Sequence, residues 1–514
     1  MAQKYLIGVD LGTSATKAAL YRADGTLVAE ASAEVPLYYP QPGTVQQDHA
    51  DFYRTAAQTV QKCITDSGID PREVASIAFD SQMAGVGAID EHFKPVTFFD
   101  SWLDMRCEPY IEQLDRHHGD LITNLTGCPP TCDHGPKIMW SKEEHPQDYA
   151  NTAKFVMPSA YVAGLMAGLP ADQAFIDYTF LHFSALSDAR AGTWSAELCG
   201  ILGVDPVKLP RIVSPWQIIG EVTPQTAKDF GLAPGTPIAA GSGDTAAGAL
   251  GAGVVQPGML LDTAGTASVF AGCTDKFVTD VDNRALLVMR SVIPGLWNPL
   301  AYIGGGGLAL RWFRDQFGGE AGGDIYTQMS AEAATIAPGA EGLFFSPHLG
   351  GRVCPAEPSM RGAWVGFSWG HTRAHFFRAI LESVAFEYAY YLSILRTLIP
   401  DLNLGEARVI GGGAQSEPWN QIKADVLAVR YQRLQRNEFA TWGSALIAGH
   451  AVGLFPDLAQ AAIETTAPHG EPVLPNLEMS ARYEQLARRY VGWQQTLSDA
   501  FRSLTDLKQT ESIA

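Results

Sequence analysis

Apolar residues recur along this chain with two periods, one typical of strands and one typical of helices. The short apolar runs 5–9 and 74–79 predict buried strands. A helix between them is predicted by four apolar residues spaced four apart: Phe52, Ala56, Val60 and Ile64. Strands that alternate with helices in this manner indicate an α/β fold.

The second half of the chain alternates in the same way. Residues 362–367 and 407–410 have the pattern of strands, and the apolar positions between Phe376 and Leu395 predict a long helix. Apolar residues between Tyr483 and Phe501 recur at helical spacing. They predict an amphipathic helix that packs on the body of the protein.

Two segments resemble each other about half a chain apart. Residues 6–20 have the pattern of a strand, a Gly-Thr turn at Gly12 and a second strand, and residues 259–270 repeat it around Gly265. Two unrelated hairpins are the alternative, but the half-chain spacing favours a duplication. A duplication predicts two similar α/β domains that face one another across a cleft.

A boundary between the two domains is predicted near residue 250. The segment 239–253 is rich in Gly and Ala, and the turn sequence Gln256-Pro257-Gly258 follows it. The predicted domains are therefore residues 1–250 and residues 251–514.

Charge and composition narrow the functional classes. The chain of 514 residues has 36 Lys and Arg against 55 Asp and Glu and a formal net charge of −19. This charge argues against nucleic acid and anionic membranes as partners. The start of the sequence lacks a secretory apolar segment, so a cytoplasmic protein is expected.

The cysteines do not predict a disulfide or metal framework. There are seven, an odd number, and they are scattered. Cys128, Cys132 and His134 lie close together, but no second Cys/His pair completes a zinc set, so we expect buried thiols.

The first hairpin carries residues suited to a phosphate site. Gly12 allows a tight turn, and Thr13 and Ser14 add hydroxyl donors to the main-chain N–H groups. Lys17 supplies a positive charge, and Asp10 could hold a divalent cation through water. The P-loop pattern and a Gly-x-Gly-x-x-Gly turn are absent, so phosphates would be held by hairpins.

Asp244 stands alone among small residues between the two hairpins. An aspartate in such a loop is often a turn former. At the mouth between two domains, its carboxylate could instead accept the proton of a substrate hydroxyl that attacks phosphorus. Gly265 and Thr266 would then offer a phosphate turn from the other domain.

Two glycine runs of the second half are candidates for a nucleotide pocket. Residues 411–413 follow a strand and precede Pro418, which suits the first position of a helix, and residues 304–307 precede Arg311. Bare backbone at a helix N-terminus suits a flat or anionic ligand. An ordinary loop between strand and helix is the alternative.

Strand ends of the first domain predict a substrate pocket. Gln82 follows the strand 74–79, and Trp102 and Asp104 follow a strand predicted at 96–99. An amide, a ring and a carboxylate suit a polyhydroxylated molecule. Core packing is the alternative for Trp102, and a surface ion pair is the alternative for Arg106.

These motifs together resemble the FGGY family of carbohydrate kinases, and within it the xylulokinase branch. The resemblance spans about residues 5–453 and is carried by the segments 10–17, 82–85, 102–106, 137–140, 243–248, 362–382 and 411–414. It implies two actin-like (ribonuclease H-like) domains related by duplication, with the active site in the cleft between them. Domain 1–250 would bind the sugar and domain 251–514 the nucleotide.

The resemblance also implies roles for single residues. Asp244 would be the catalytic base, and Asp10 the carboxylate that positions magnesium. The implied ATP-binding residues are Thr13, Ser14, Lys17, Gly265, Thr266, Gly307, Arg311, Gly412, Gly413, Ala414 and Glu417. The implied substrate-binding residues are Gln82, Met83, Ala84, Trp102, Asp104 and Thr245.

The implied activity is ATP- and magnesium-dependent phosphorylation of a ketopentose such as D-xylulose. Ala84 and Thr245 stand where the xylulokinase branch usually carries His and Asn. Another ketose or polyol (a tetrulose, hexulose or alditol) is therefore an alternative acceptor. An actin-like ATPase without a sugar acceptor and a sugar-binding regulator that has lost catalysis are further alternatives. The oligomeric state is open, with a homodimer as one alternative.

Overall fold

The computed structural model describes residues 4–318 and 325–511 and confirms the α/β class. The strands are β1 (Tyr5–Leu11), β2 (Ala15–Arg22), β3 (Leu27–Glu34), β4 (Gln46–Gln47), β5 (Val74–Ser81), β6 (Gly87–Ile89), β7 (Phe99–Asp100), β8 (Lys154–Val156), β9 (Phe175–Asp177), β10 (Ser187–Asp188), β11 (Thr193–Trp194), β12 (Arg211–Val213), β13 (Ile218–Glu221), β14 (Pro237–Gly243), β15 (Leu260–Ala264), β16 (Ser268–Gly272), β17 (Leu287–Arg290), β18 (Trp297–Ile303), β19 (Phe344–Ser346), β20 (Ala363–Val365), β21 (Glu406–Ile410) and β22 (Arg430–Arg433).

The helices are α1 (His49–Ser67), α2 (Glu108–Thr126), α3 (His134–Glu144), α4 (Pro146–Asn151), α5 (Pro158–Ala167), α6 (Ala196–Leu202), α7 (Pro224–Phe230), α8 (Asp244–Gly251), α9 (Gly306–Phe317), α10 (Ile325–Ala334), α11 (Arg373–Leu398), α12 (Glu417–Leu427), α13 (Ala440–Ala451), α14 (Leu458–Glu464) and α15 (Leu477–Glu511). Among the described residues, no helix is long and apolar enough to cross a membrane.

Helix α1 forms where the apolar spacing predicts it. The carboxylate of Asp48 accepts a hydrogen bond from the N–H of Ala50 and caps the first turn. Gly68 ends the helix in the left-handed conformation. The buried face includes Phe52, Ala56 and Val60, so the helix packs on the sheet through the predicted stripe.

The first sheet has six strands in the order β13-β14-β5-β1-β2-β3. Strand β1 is antiparallel to β2 and parallel to β5, and β14 is also parallel to β5. Almost every residue of β1 is buried, because helices cover both faces of the central strands.

The second sheet repeats this plan in the order β17-β18-β16-β15-β21-β22. Strand β15 is antiparallel to β16 and parallel to β21, and β22 is parallel to β21. Strands β15, β16, β18, β21 and β22 thus take the places of β1, β2, β3, β5 and β14. The repeated hairpin therefore belongs to a repeated sheet, as the duplication predicts.

Helix α13 lies in the second half of the sequence but packs on the first sheet, against β1 and β5. Gly8 allows this close approach, because a Cβ atom there would lie 1.8 Å from the carbonyl oxygen of Thr441. The hydroxyls of Tyr21 and Thr441 are 2.8 Å apart and join the same two elements. The face of the first sheet that carries Gly8 is therefore covered by a distant part of the chain.

The C-terminal helix α15 packs on the body, against α11 and α12, as its apolar spacing predicts. The Tyr483 hydroxyl donates to Glu382 at 2.8 Å, and the Tyr490 hydroxyl donates to Glu387 at 2.9 Å.

The two cysteines that the sequence analysis considered are free thiols: Cys128 is buried and Cys132 is half-buried.

Two predicted strands are wrong in extent, and one predicted helix position is wrong by one residue. The strand expected at 96–99 is only the two residues of β7, because the chain turns at residues 90–94 and bends again at residues 96–97 before it pairs with β4. The strand expected at 362–367 is the three residues of β20, since Gly366 turns to φ 94°. Pro418 occupies the second position of α12, after Glu417, with Ser416 as the cap.

Candidate functional site

Asp10 lies at the end of β1, beside the turn of hairpin 1 (β1 and β2). The Gly12 N–H donates to the Ala15 carbonyl at 3.1 Å and closes this turn. Burial raises the pKa of Asp10 to about 7; the charge of Asp244 adds to the rise and the charge of Lys17 opposes it. The Oδ1 atom of Asp10 is buried without a hydrogen-bond partner. An oxygen donor in this state can accept a cation or a donor group.

Asp80 lies next to Asp10 and is a site residue that the sequence analysis missed. The two residues pair in register on the parallel strands β1 and β5, so both side chains are on the face of the sheet that α13 covers. Asp80 is 0% exposed, and its Oδ2 accepts a hydrogen bond from the hydroxyl of Ser444 at 2.6 Å. Burial and the neighbouring charge of Asp10 raise the pKa of Asp80 well above its usual range.

Lys17 pairs in register with Asp10 on the antiparallel strand β2. Its Nζ atom lies 2.9 Å from Oε1 of Glu438, which precedes α13. The side chains of Lys17 and Glu438 are 40% and 35% exposed, so the ammonium group remains open to solvent. Glu438 is a second neighbour that the sequence analysis did not find.

Asp244 is the first residue of α8, directly after β14. Burial raises the pKa of its carboxyl to about 6, while the hydrogen bonds that it accepts from Thr245 lower it. The N–H and the hydroxyl of Thr245 lie 2.5 Å and 3.1 Å from Oδ1 of Asp244. The carboxylate therefore bonds the residue that follows it at the start of α8, whose N-cap is Gly243, and the carboxyl keeps the pKa of a usable base.

Both halves of the molecule reach Asp244. The charges of Asp10 and Asp244 interact directly, which places Asp244 near hairpin 1. Tyr302 comes from β18 of the second sheet, and its hydroxyl interacts with Thr245 and with the charge of Asp244. Burial raises the pKa of Tyr302, so the neutral phenol is a hydrogen-bond donor at this position.

The predicted substrate residues near hairpin 1 share one hydrogen-bonded chain. The indole N–H of Trp102 donates to the hydroxyl of Thr13 at 2.9 Å, and the ring is 43% exposed. Core packing, the alternative for Trp102, is thereby excluded. The Gln47 amide donates to the carbonyl of Thr13 at 2.9 Å and accepts from the Gln82 amide at 2.7 Å. Trp102 and Gln82 are therefore tied to the turn of hairpin 1 from two sides.

Asp104 and Arg106 hold the segment that carries Trp102. Oδ2 of Asp104 accepts from the N–H of Val45 at 2.8 Å, and the guanidinium of Arg106 pairs with Asp104 and Asp100. Asp104 is only 2% exposed, so its carboxylate is already occupied by protein donors. The ammonium of Lys137 donates to the carbonyl of Asp104 at 2.5 Å.

Met83 and Ala84 are buried at the end of β5. The ring of His134 contacts the Met83 carbonyl at 2.9 Å, and the side chain of Met83 fills the space beside Gly243. Met83 therefore packs beside the residue that precedes Asp244, while Ser14 lies exposed on the turn of hairpin 1.

Hairpin 2 (β15 and β16) meets the start of α9 closely. The N–H groups of Gly307 and Leu308 donate to the carbonyls of Gly265 and Thr266 at 3.0 and 2.9 Å. A Cβ atom at Gly307 would lie 2.2 Å from the Gly265 carbonyl, so only glycine fits. The guanidinium of Arg311 reaches the hydroxyl of Thr266 at 3.4 Å. Gly265, Thr266, Gly307 and Arg311 are thus one cluster.

The glycine run 411–413 follows β21 beside the same hairpin. Gly411 turns to φ 85° and approaches the Ala264 carbonyl, whereas Gly412 has open space where a side chain would be. Ala414 is buried, and Glu417 is the first residue of α12. Gly412 therefore presents bare backbone next to hairpin 2, whereas Gly413 packs against Trp419 and Ala264. The main chain of Ala414 is bonded within the protein, to Gly411 and Asn420.

Similarity to known proteins covers nearly the whole chain. The model of the FGGY family of carbohydrate kinases, N-terminal domain, matches residues 5–251, and the model of its C-terminal domain matches residues 261–452. Xylulose kinase of Bacillus subtilis is 27% identical, over 89% of this chain and 90% of its own. Gluconokinase of Bacillus licheniformis is 26% identical, over 99% of both chains.

A solved structure shows the same arrangement. The crystal structure of xylulose kinase from Rhodospirillum rubrum superposes with a TM-score of 0.86 at 26% identity, covering 97% of this chain and 100% of that one. The two-domain, actin-like architecture that the sequence analysis expected is therefore confirmed.

Proposed function

This chain belongs to the FGGY family of carbohydrate kinases, and we propose that it transfers the γ-phosphoryl group of ATP to a hydroxyl of a ketopentose such as D-xylulose. The family makes it an ATP-dependent sugar kinase. Xylulose kinases of several organisms align with it over most of their length, which supports a xylulose-like acceptor. One observation carries the proposed mechanism: the half-buried Asp244, whose carboxyl has a pKa of about 6, lies where both halves meet.

Asp244 is the proposed base. A carboxyl with this pKa is largely ionised at pH 7 and can still accept the proton of an attacking hydroxyl. Thr245 donates to Oδ1 of Asp244 and so fixes the carboxylate. The remaining oxygen, Oδ2, is the proposed proton acceptor.

The two hairpins are proposed to hold the phosphates of ATP. Main-chain N–H groups and hydroxyls can surround phosphate oxygens without a P-loop. The proposed ATP-binding residues are Thr13, Ser14, Lys17, Gly265, Thr266, Gly307, Arg311, Gly412, Gly413, Ala414 and Glu417. Their grouping around the two turns supports this assignment, and rate would come mainly from positioning and electrostatics.

Asp10 fits the proposed magnesium position. Its unpartnered Oδ1 is a hard oxygen donor, and magnesium uses few carboxylates and keeps much of its water. When bound, magnesium would neutralise charge on the phosphate oxygens. Asp10 would hold the ion, and Lys17 would approach the phosphates from the next strand.

The sugar is proposed to lie between Trp102 and the floor formed by Met83 and Ala84. The exposed indole offers an apolar face, and Thr245 offers a hydroxyl. Gln82 is only 2% exposed and donates to Gln47, so it would act chiefly by holding Gln47 against the turn of hairpin 1. Asp104 would act chiefly by holding the Trp102 segment, because protein donors occupy its carboxylate.

The gluconokinase relative raises an acid sugar as a second acceptor. A gluconate carboxylate would call for a cation in the pocket. Arg106 is engaged by two carboxylates, and Lys137 is buried on the Asp104 carbonyl. This engagement favours a neutral ketose. A coupled ADP-release screen over pentuloses, hexuloses, tetruloses, alditols and gluconate tests the choice, and a clear preference for gluconate would contradict it.

The assignment of the base is tested by Asp244→Asn. We expect kcat to fall by roughly 10²–10⁴-fold, as for loss of a general base, while ATP binding measured by calorimetry changes little. Asp229→Asn is a matched control, because Asp229 is an aspartate of the same half that accepts only from the Tyr53 hydroxyl at the surface. Turnover of Asp244→Asn near that of the control would refute the assignment.

A further inference from the structure

Three charged side chains form a row across the first sheet. Lys17, Asp10 and Asp80 lie on adjacent strands in register, on the face that α13 covers. Opposite charges that are directly paired across strands usually attract each other. Among the described residues, however, the ion pair of Lys17 is with Glu438, and none within 4 Å joins Lys17 to Asp10.

The segment 438–444, at the start of α13, binds the two outer residues of this row, Lys17 and Asp80. Glu438 binds the ammonium of Lys17 at 2.9 Å, and Ser444 donates to Asp80 at 2.6 Å. The partners are 421 and 364 positions apart in the sequence. Asp10 lies between these two contacts and retains an unpartnered Oδ1.

We propose that Glu438 is a positioning residue that draws the Lys17 ammonium away from Asp10 and thereby keeps the Asp10 carboxylate available for magnesium. This inference rests on the proposed function, which gives Asp10 that role. It adds Glu438, a residue outside the predicted site. It also explains why the Lys17 ammonium and the Asp10 carboxylate, which face each other across two strands, do not form an ion pair. The Lys17 ammonium, held at a part-exposed position, also remains beside the cleft.

Removal of Glu438 changes the balance of charge at Asp10. In Glu438→Ala the ammonium loses its carboxylate and is attracted to Asp10, where it competes with a divalent cation. In Glu438→Gln the side-chain oxygen can still accept a hydrogen bond from Lys17. We therefore expect Glu438→Ala to weaken cation binding about tenfold and Glu438→Gln to have a smaller effect.

The experiment is a titration of the full-length, nucleotide-free protein with Mn²⁺, followed by electron paramagnetic resonance of the free ion. It compares the wild type, Glu438→Ala, Lys17→Met and the double variant. We expect Lys17→Met to restore Mn²⁺ binding strongly in the Glu438→Ala background and to change it less in the wild type. If Lys17→Met raised the affinity for Mn²⁺ equally in the wild type and in Glu438→Ala, Glu438 would act only through its own charge. That result would overturn the inference.

Two controls separate this outcome from others. Asp401→Asn removes the carboxylate partner of another lysine, Lys276, far from Asp10 in the sequence, and should leave Mn²⁺ binding unchanged. Asp10→Asn should abolish the site; if it does not, the magnesium assignment of the proposed function fails. Asp10-dependent binding that is unaffected by Glu438→Ala overturns the further inference alone. If Glu438→Ala does not fold, the same four proteins are made with Glu438→Gln instead. Lys17→Met is again expected to raise the affinity for Mn²⁺ more in the Glu438 variant than in the wild type.

Discussion

Hairpin 1 and hairpin 2 each carry an aspartate just before a Gly-Thr turn, and the two aspartates have very different surroundings: Asp10 is half-buried and Asp262 is fully buried. Asp10 has an unpartnered oxygen and a raised pKa. Asp262 accepts a hydrogen bond from the Tyr388 hydroxyl at 2.7 Å and pairs with the ammonium of Lys423 at 2.6 Å, fully buried. The ring of Tyr388 also stacks on Phe270.

The difference follows from the position of each aspartate relative to its glycine. Asp10 stands two residues before Gly12, whereas Asp262 stands three residues before Gly265. Successive side chains of a strand point to opposite faces, so a shift of one residue sends Asp262 toward α11 and α12 instead of the cleft. Thr263 takes the place that corresponds to Asp10. A duplicated hairpin has thus placed a carboxylate with an unpartnered oxygen in one half and an ion-paired, buried carboxylate in the other.

The largest expected effect concerns the structural aspartate. Asp262→Asn leaves the buried Lys423 ammonium without a counter-charge, and we expect about 3–5 kcal/mol lower stability, measured by denaturant unfolding. The double variant Asp262→Asn/Lys423→Met should regain part of this loss. A fully stable Asp262→Asn protein would contradict the structural role.

Asp10 should show the opposite profile. Asp10→Asn should lower kcat about a hundredfold, because a ligand of the proposed magnesium ion is lost, without lowering the melting temperature. The reason is that, among the described residues, Asp10 has a buried carboxyl oxygen without a hydrogen-bond partner and makes no ion pair. Steady-state kinetics and thermal melts of both asparagine variants test the comparison. Equal losses of stability in the two hairpins would remove the distinction.

The pH dependence of the cleft gives a smaller effect. Because the pKa of Asp244 is about 6 and the proposed base must be ionised, kcat/KM should fall about tenfold per pH unit below 6 and level off above it. Thr245→Val removes a hydroxyl that lowers this pKa, so the fall should begin at a higher pH. Thr397→Val, at an exposed position of α11, is the control. An unshifted profile in Thr245→Val would argue against Asp244 as the titrating base.

The elements with a clear period were predictable from the sequence. The four-residue spacing located α1, and the half-chain repeat of the hairpin predicted the second sheet. The strand at 96–99 was wrong in extent because the chain bends at residues 96–97, so only Phe99 of its three apolar residues lies in β7. Apolar composition alone does not state where a chain bends.

The site was predictable only where its residues lie in local motifs. Asp80 stands in the sequence two residues before Gln82, and the strand end was a signal, but its closeness to Asp10 depends on the register of two parallel strands. Glu438 and Ser444 gave no local signal, because their partners lie several hundred positions away. Contacts of that kind arise from topology, which a single sequence does not state.

The position of α13 has a consequence for the synthesis of the protein. Residues 5–243 contain all the strands of the first sheet, yet the face with Gly8 stays uncovered until residues 440–451 have left the ribosome. At ordinary rates of translation, that delay is on the order of tens of seconds. During this interval the nascent first half exposes a sheet face that carries the charged row of Lys17, Asp10 and Asp80 as well as apolar residues, and the folded protein covers this face with α13.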